Sequence, residues 1–561
     1  MFNNLKTTAM KKTLLSIVAV LFGIALNAQV SVWDGTAEEW TNGSGTPEDP
    51  YLIENAQNLA YLAQQVNAPD YHTSEPPEIY ADTWFTLTTD LDLGGDNGLL
   101  WTPIGKTDRI NGNVIWSAFA GHFDGGLHTI YNMLVEHPED DTMKYEYAFG
   151  LFGFVVNGSV KNIILASNCS INIEVFDHYY TIHAGGILGW GINVDLENCV
   201  NRAPVKVVID QNHDGINCGG IAGVVYIGSS IKNCHNFGDI YCKGDSFSGG
   251  LRPAGIVANA TGTDIYGCSN RGNITCINTY FSLNESRAGG IAGCLRGDCN
   301  VEMCCNTGEI RVNDEMWKSC GGIVGGSYTM AYSTNISIKN CYSVADVSAI
   351  TEHPDKGSHA GGIFGYAYGS WEEPVQYTLS IENCYAVGSI VSDTVGGIFP
   401  PGEWLNIYTS ELPIVTNSYY INTIESMNEY GMPLSEDYMK SEDFVNALNV
   451  DETVFMMDLS NENNGYPVFA NKSPLFYEEN NVNSEISVYP NPAQDHVKLK
   501  FSDGSDCQSI EIYFIDGRLV ETFPETSHQT TIDISGLHAG MYIMKIRMAD
   551  GREYAERIVK E

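Results

Sequence analysis

The segment Gly219-Gly220-Ile221-Ala222-Gly223 decides the fold, because versions of it recur along most of the chain. The others are Gly185-Gly186-Ile187-Leu188-Gly189, Ala254-Gly255-Ile256-Val257-Ala258, Gly289-Gly290-Ile291-Ala292-Gly293, Gly321-Gly322-Ile323-Val324-Gly325, Gly361-Gly362-Ile363-Phe364-Gly365 and Gly396-Gly397-Ile398-Phe399. From residue 185 onward they follow one another at steps of 34, 35, 35, 32, 40 and 35 residues. A period of this size is typical of solenoids and repeat arrays.

A second motif, an aliphatic residue three positions before a cysteine, follows each copy of the first. It occupies residues 196–199, 231–234, 265–268, 301–304, 338–341 and 381–384, and it ends with Ser418 in 415–418. A third short apolar piece, such as Gly238-Asp239-Ile240, often comes next. Three short strands per period predict an all-β, parallel β-helix-like solenoid of about 35-residue repeats. Helical repeats would need long stretches with a 3.6-residue period, which do not occur.

The cysteines follow the repeat. Six of the 15 share one repeat position: Cys199, Cys234, Cys268, Cys304, Cys341 and Cys384. Stacked side chains in a β-helix point in parallel, whereas a disulfide needs facing Cβ atoms, so we predict mostly free, buried thiols. Disulfides remain the alternative for an exported chain. Ile231 and Cys234 are three residues apart, which predicts a bend between them with Asn233 at the corner, where stacked asparagines can form hydrogen bonds along the ladder.

The N-terminal residues have the pattern of a signal peptide. Lys6, Lys11 and Lys12 precede an apolar run from Leu14 to Leu26, which is shorter than the roughly 20 apolar residues that span a membrane. We expect no transmembrane helix in the mature chain. The predicted organisation is a signal peptide over 1–28, an N-terminal cap region over 29–79, the solenoid over 80–425, its C-terminal cap over 426–470, a linker over 471–485 and a last domain over 486–561. Small helices are expected in both caps, over 55–67 and after Ser441.

The repeats resemble a known family. Gly150-Leu151-Phe152-Gly153 and the recurring Gly-Gly-Ile motif are similar to GLUG repeats, which occur in large bacterial surface and secreted proteins. Pro103-Ile104-Gly105 and the segment from Phe119 to Gly126 support the resemblance, which covers about residues 33 to 470. It implies a β-helix and says little about a ligand.

The last domain has a different character. Alternating strands over 486–488, 496–501, 510–514, 530–534 and 541–546 predict a small Ig-like β-sandwich. Its motifs resemble the type A C-terminal sorting domain of the type IX secretion system. The residues that carry this resemblance, and that form the candidate sorting signal, are Pro490, Asn491, Pro492, Gly536, Leu537, Gly540, Tyr542 and Lys560. The resemblance implies recognition by the outer-membrane translocon, removal by its sortase, and a place on the outer-membrane surface of a Gram-negative bacterium or release from it.

The charge limits the possible partners. The formal net charge of −40 repels phosphate backbones and argues against nucleic acid as a partner. No cofactor is expected, although residues 210–215 match the first half of a calcium-binding loop and allow weak Ca²⁺ binding. Acidic residues are abundant but scattered in turns, whereas a polysaccharide lyase or glycoside hydrolase needs carboxylates, or carboxylates with Arg or Lys, that face one another in one groove.

Aromatic residues after the Gly-Gly-Ile motif form the candidate binding strip. They are Trp190, Tyr226, Trp317, Tyr328, Tyr366, Tyr368 and Trp371. Stacked on one exposed face, they would bind a glycan or a protein without turnover; the competing interpretation is that they cover the corners of the coils. We therefore expect a binding or adhesion module, with a β-helix polysaccharide lyase or glycoside hydrolase and a purely structural surface-layer protein as alternatives.

Overall fold

The computed structural model describes most of the chain. The described residues are 30–68, 78–110, 113–137, 148–175, 181–210, 215–244, 250–279, 285–314, 317–328, 334–350, 357–368, 377–401, 413–450, 452–459, 461–470, 475, 486–489, 493–501, 507–514, 518–526, 529–538, 540–548 and 553–560. The predicted signal peptide lies outside this part of the chain, as do Pro490, Asn491, Pro492 and Trp371.

The body of the protein is a parallel β-solenoid, as predicted. One coil consists of the strands Ile182–Gly185, Leu188–Ile192, Asp195–Glu197, Val200–Asn201 and Val205–Ile209. Each strand pairs in parallel with its counterpart in the next coil; Ile182–Gly185, for example, pairs with Ile216–Gly219. The coil therefore has five strands instead of the three expected, because bends divide the apolar stretches into pieces as short as two residues.

The coils stack into five sheets, which we name A to E in the order of one coil. Sheet A contains Ala148–Phe149, Ile182–Gly185, Ile216–Gly219, Leu251–Ala254, Ser286–Gly289, Lys318–Gly321, Ser358–Gly361 and Thr394–Gly396. Sheet B contains Glu78–Ile79, Asn113–Phe119, Phe152–Val156, Leu188–Ile192, Ala222–Tyr226, Val257–Thr261, Ala292–Arg296, Val324–Tyr328 and Phe364–Tyr368, with Lys106–Ile110 antiparallel to Asn113–Phe119.

The other three sheets close the wall. Sheet C contains Tyr51–Ile53, Trp84–Leu87, His122–Asp124, Ser159–Lys161, Asp195–Glu197, Ser230–Lys232, Asp264–Tyr266, Cys299–Glu302, Thr334–Lys339, Tyr377–Glu382 and Ile414–Thr416. Sheet D contains Leu91–Asp92, Thr129–Tyr131, Ile164–Leu165, Val200–Asn201, His235–Asn236, Ser269–Asn270, Cys305–Asn306, Tyr342–Ser343, Tyr385–Ala386, Tyr419–Ile421 and Met432–Leu434. Sheet E contains Leu134–Glu136, Ser170–Val175, Val205–Ile209, Ile240–Gly244, Ile274–Asn278, Ile310–Asp314, Val347–Ile350 and Ile390–Val391.

The glycine pairs lie at the corner between sheets A and B. A Cβ atom on Gly220 would overlap the carbonyl oxygen of Gly255 in the next coil and the side chain of Asn236. Gly255 is in the same position relative to Gly290 and Asn270. The glycines are therefore required by the close approach of successive coils.

The corner between sheets C and D is formed by asparagine, as expected. Asn233 has a φ of 50°, in the left-handed region, and Asn198 Nδ2 donates to Asn162 Oδ1 of the preceding coil at 3.0 Å. A second asparagine ladder, which we did not anticipate, runs through sheet D. Its members are Asn201, Asn236, Asn270 and Asn306, joined by hydrogen bonds of 2.9, 2.8 and 2.8 Å. Both ladders provide hydrogen-bond partners for buried side-chain amides, although Asn198 Oδ1 is left without one.

All 15 cysteines lie in the described residues, and all are buried and unbridged. The six that share a repeat position follow one another along the same corner of sheets C and D. Burial raises the thiol pKa of Cys199, Cys234, Cys268, Cys304 and Cys341. The row therefore acts as a ladder of small, neutral, apolar side chains.

We expect native protein, denatured and alkylated without a reductant, to carry a label on most of its cysteines, because parallel thiols lack the geometry of a disulfide. Mass spectrometry of the intact protein measures the number of labels. Reduction before alkylation is the control and should add few further labels. Recovery of disulfide-linked peptides that join Cys234 to Cys268 would contradict the ladder of free thiols.

Helices cover both ends of the solenoid. The first, α1 (Ala56–Asn67), is capped by Asn55, whose side chain accepts a hydrogen bond from Asn58 N at 2.8 Å. At the other end are α2 (Glu436–Met439) and α3 (Glu442–Leu448), and Ser441 caps α3 as predicted. Open edges of a solenoid recruit other strands, which these caps prevent. No helix in the described residues is both long and apolar enough to cross a membrane.

Solenoid pairing extends beyond the predicted limits of 80 and 425. Sheet C begins with Tyr51–Ile53, and sheet D ends with Met432–Leu434. These terminal strands lack a neighbouring Gly-Gly-Ile motif, which is why the repeat pattern did not reveal them. Two small elements lie apart from the five sheets: the 3₁₀-helix Gly95–Asn97 and the antiparallel pair formed by Phe455–Met456 and Val468–Phe469.

The C-terminal domain has two antiparallel sheets and a buried core of its own. One sheet contains Ile486–Tyr489, His496–Phe501 and Gln529–Asp533, and the other contains Leu519–Thr526, Cys507–Phe514, Gly540–Met548 and Glu553–Lys560. The strand Leu519–Thr526 was not predicted. Pro524 and four acidic or polar residues hide its alternation. The strand lies at the edge of its sheet, where a proline is tolerated.

Candidate functional site

A groove runs along the solenoid where sheets A and B meet. Side chains that point outward from the two sheets contact each other: the rings of His183 and Trp190 lie 5.5 Å apart, and those of His359 and Tyr366 stack at 4.2 Å. Outward side chains of adjacent walls can touch only if the corner between them is concave. The Gly-Gly-Ile bend therefore forms the floor of a groove that is open to the exterior.

Three rows of residues line this groove, and we call it the A/B groove. The row from sheet A is His183, Asn217, Arg252, Arg287, Ser319 and His359. The inner row from sheet B is Trp190, Val224, Asn259, Cys294, Gly326 and Tyr366, and its outer row is Ile192, Tyr226, Thr261, Arg296, Tyr328 and Tyr368. Within a row, side chains of consecutive coils lie at the strand spacing of about 4.8 Å.

The structure places the predicted aromatic strip in this groove. Trp190 and Tyr366 belong to the inner row, and Tyr226, Tyr328 and Tyr368 belong to the outer row. Trp317 directly precedes sheet A, is 39% exposed, and has its ring parallel to that of His359, with centroids 6.5 Å apart. The side chain of Tyr368 is not among those described.

The strip is not exposed throughout, however. Tyr366 is 3% exposed because His359 covers its ring, whereas Trp190, Tyr226 and Tyr328 are partly exposed. Both interpretations of the sequence therefore apply in part: some of the aromatic residues cover the corner, and others are accessible from outside.

The groove also contains charged residues that sequence reasoning missed. Arg252 and Arg287 occupy equivalent positions in neighbouring strands of sheet A, and Arg296 ends a strand of sheet B. Glu285 accepts from Arg287 Nη2 at 2.8 Å, and the side chains of Arg287 and Glu285 are 5% and 9% exposed. A signal was present in the sequence, since a polar residue recurs two positions before each glycine pair, as in His183, Asn217 and His359. Its alternation with inward apolar residues marks it as outward-facing.

Cys294 lies among these arginines and differs from the thiols of the ladder. Burial raises its pKa, but the charges of Arg287, Arg296 and Arg252 outweigh burial and lower the pKa below the usual range. A thiolate is the reactive form of cysteine. Within the described residues, no group of three or more His, Cys, Asp or Glu side chains is arranged to hold a metal ion, and the calcium-like segment falls mostly outside those residues, at 211–214.

The residues of the candidate sorting signal that are described converge at one end of the C-terminal domain. Gly540 pairs with Lys560 across the four-stranded sheet, and Ala493, which follows the Pro-Asn-Pro motif, bridges to Lys560 as well. Tyr542 is buried and its hydroxyl donates to His538 O at 2.9 Å. The fold therefore brings together motifs that lie about 70 residues apart in the chain.

Leu537 and Gly536 lie in the turn between the two sheets. Leu537 packs partly against the core of the domain, and its backbone N–H donates to Ile534 O at 3.0 Å. Gly536 is exposed, and a Cβ atom on it would meet nothing within 4 Å. An exposed turn beside the paired ends of the last strands is a surface that another protein can recognise.

Comparison with known proteins gives matches to short parts of the chain. The chain is 29% identical over 145 residues to halomucin of Haloquadratum walsbyi, which is 24% of this chain and 1% of that protein. It is 30% identical over 139 residues to a protein of Evansella cellulosilytica named "Putative Gly-rich membrane protein", which is 25% of this chain and 13% of that protein. The chain thus spans only a small part of these relatives.

One solved structure, from Bacteroides ovatus and described as a "putative immunoglobulin A1 protease", aligns over 77% of this chain and 95% of its own, with 18% identity and a TM-score of 0.34. The C-terminal domain gives a direct match to a family. Residues 487–561 match the model of the secretion system C-terminal sorting domain. The protein is therefore a β-solenoid with a sorting tail that the type IX secretion system handles, and it is secreted or attached to the cell surface.

Proposed function

We propose that this protein is an exported repeat module that binds an extracellular glycan along the A/B groove without turnover. The observation that carries the proposal is two groups of exposed or partly exposed aromatic residues in that groove, Trp190 with Tyr226 and Trp317 with Tyr328, on a body that bears a sorting tail. A rigid repeat array offers a long surface on which weak contacts add up. Aromatic faces provide apolar area for sugar rings, and the neighbouring histidines and asparagines provide hydrogen-bonding groups.

Export follows the route implied by the tail. The signal peptide directs the chain across the inner membrane, and the type IX translocon of a Gram-negative bacterium then recognises residues from Pro490 to Lys560. The sortase removes the tail, and the solenoid is attached to the outer-membrane surface or released. The pairing of Gly540 and Ala493 with Lys560 supports a single recognition surface for these motifs.

A polysaccharide lyase is the second candidate, because a carboxylate and arginines do meet in the groove. Glu285, however, is held by Arg287, whereas elimination by a lyase needs a base that is free to remove a proton from the sugar ring, and hydrolysis by the usual route needs two carboxylates that flank the bond. A degradation assay separates the two functions. Polysaccharide depolymerisation that disappears in Glu285→Gln would replace binding with catalysis as the function.

We expect Trp190→Ala to weaken glycan binding by about tenfold or more, since truncation of a central aromatic residue commonly removes much of the binding energy. A glycan array identifies the ligand, and calorimetry then measures the affinity. Tyr266→Ala is the matched control, because Tyr266 is 45% exposed on sheet C, away from the groove. Equal affinities for wild type and Trp190→Ala, with the fold intact by circular dichroism, would remove the aromatic groove as the binding site.

A further inference from the structure

Three arginines are concentrated in two neighbouring coils of the A/B groove. Arg252 and Arg287 lie side by side in sheet A, at the position that is His183, Asn217, Ser319 or His359 in other coils. Arg296 joins them from the outer row of sheet B, where the flanking coils have Thr261 and Tyr328. The repeat pattern alone does not explain this concentration of positive charge in a chain whose net charge is −40.

The groove is shaped around these side chains. Arg287 and Arg296 both lie over the ring of Tyr328, each with its Cζ atom 5.6 Å from the ring centroid. Gly326 leaves the space that a larger residue occupies elsewhere in the inner row: a Cβ atom there would lie 3.1 Å from Arg287 Cδ and 3.2 Å from Ser319 Oγ. The guanidinium groups are therefore held in position by neighbours on both sheets.

The positive charge of the cluster is only partly neutralised. Glu285 pairs with Arg287, which is 4% exposed, and Arg252 Nη1 donates to the carbonyl oxygen of Gly250 at 3.5 Å. The Cys294 thiol lies among all three arginines, whose charges lower its pKa, so one carboxylate and one thiol face three guanidinium groups. The Nε atoms of all three arginines are buried without a hydrogen-bond partner. Burial lowers the pKa of Arg252 to about 10, with Arg296 and Arg287 contributing in the same direction and Cys294 opposing them, so Arg252 is still charged at neutral pH. Partly buried cations that outnumber their anionic partners are costly, and a bound anion would offset that cost.

We propose that Arg252, Arg287 and Arg296 bind the acidic group, a carboxylate or a sulfate, of an anionic polysaccharide that occupies the A/B groove. This inference rests on the proposed glycan-binding function and adds the class of glycan. Guanidinium groups match the geometry of such oxyanions and can donate two parallel hydrogen bonds to one of them. A polysaccharide fits better than an isolated anion because the aromatic residues continue the groove on both sides of the arginines, at Trp190 and Tyr226 in one direction and at Trp317 and Tyr328 in the other.

The overall charge makes this site selective. A net charge of −40 repels polyanions at long range, so long-range electrostatic attraction does not speed association. Binding therefore depends on direct contact with the arginines. Added salt screens the long-range repulsion within roughly 10 Å, while contacts between partly buried groups are screened less. The site would therefore discriminate between glycans by the position of their acidic groups and not by their charge alone.

The test measures binding of the full mature chain to three polymers: polygalacturonate, which carries only carboxylates, dextran sulfate, which carries only sulfates, and neutral dextran. We expect one or both of the acidic polymers to bind, and Arg252→Gln and Arg296→Gln each to weaken binding by about tenfold or more, the usual effect of losing a charge-assisted hydrogen bond. Arg311→Gln is the matched control, since Arg311 pairs with Glu309 on sheet E and is 66% exposed. Comparison of polygalacturonate with dextran sulfate identifies whether the acidic group is a carboxylate or a sulfate.

Different results distinguish this inference from the proposed function. Binding of dextran alone, reduced by Trp190→Ala but unchanged in both arginine variants, would overturn the anion site and leave the glycan-binding function in place. Absence of binding to every glycan in the array would overturn both. Thermal unfolding without ligand checks the fold, and Arg296→Gln, at the partly exposed edge of the groove, gives the decisive measurement if Arg252→Gln does not fold.

Discussion

Deletion of residues 487–561 is expected to abolish the appearance of this protein outside the cell. The deleted segment is the sorting domain, and its motifs converge at the paired ends of the last strands, where Gly540 and Ala493 meet Lys560. The solenoid keeps its own core and caps without this segment, so the shortened protein should fold. We expect the shortened protein to accumulate in the periplasm with its signal peptide removed. The amount of protein on the cell surface should fall almost to background. Cell fractionation and labelling of intact cells measure the two pools.

The solenoid variant Arg311→Gln, with the tail present, is the control for export and should reach the surface as wild type does. A fusion of residues 487–561 to a periplasmic reporter tests sufficiency, because these residues have a separate hydrophobic core. If the protein that lacks residues 487–561 reached the surface at the wild-type level, the role of the tail in sorting would be refuted.

We expect Gly255→Val to destabilise the solenoid more than any of the substitutions named above. Any Cβ atom on Gly255 would overlap the carbonyl oxygen of Gly290 and the side chain of Asn270. The coils on both sides would have to move apart, which breaks parallel strand pairing and the buried asparagine ladder at once. We expect the free energy of unfolding to fall by about 3 kcal/mol or more, as for severe overpacking in a core.

Denaturation by urea, followed by circular dichroism, measures the loss. Gly536→Val in the C-terminal domain is the matched control, because nothing lies within 4 Å of a Cβ atom at that position, and it should leave unfolding of the solenoid unchanged. A wild-type midpoint for Gly255→Val would mean that the coils are not packed as closely as the structure places them.

Much of the solenoid could be predicted because its signals are local and repeated. The period of the Gly-Gly-Ile motif predicted a parallel solenoid, and the spacing of Ile231 and Cys234 predicted the corner at Asn233, which has a left-handed backbone. The capping serine and the apolar stripe likewise predicted α3. In each case a short-range steric or hydrogen-bonding rule fixes the outcome.

The number of strands and the composition of the groove could not be predicted in the same way. A strand of two residues, such as Val200–Asn201, is too short to show alternation, so bends at either side of it are invisible in the pattern. The meeting of Arg252 with Arg296 depends on the angle between two sheets, which no local rule supplies. A visible repeat also does not reveal its own role. An asparagine stands two positions after four of the six ladder cysteines, yet only the structure shows that Asn236 forms hydrogen bonds with both Asn270 and its own turn.

The stacking of each strand on its counterpart one coil later has a consequence for the order in which the molecule assembles. The edge of Ile182–Gly185 that faces the next coil pairs only with Ile216–Gly219. Each coil can therefore be completed as soon as about 35 further residues have emerged. A chain that crosses a membrane with its N-terminus first delivers α1 before any repeat, and this helix then presents a finished surface to the first coil. Growth by addition at one end keeps the unpaired length short at every stage, and a short unpaired length limits aggregation during folding.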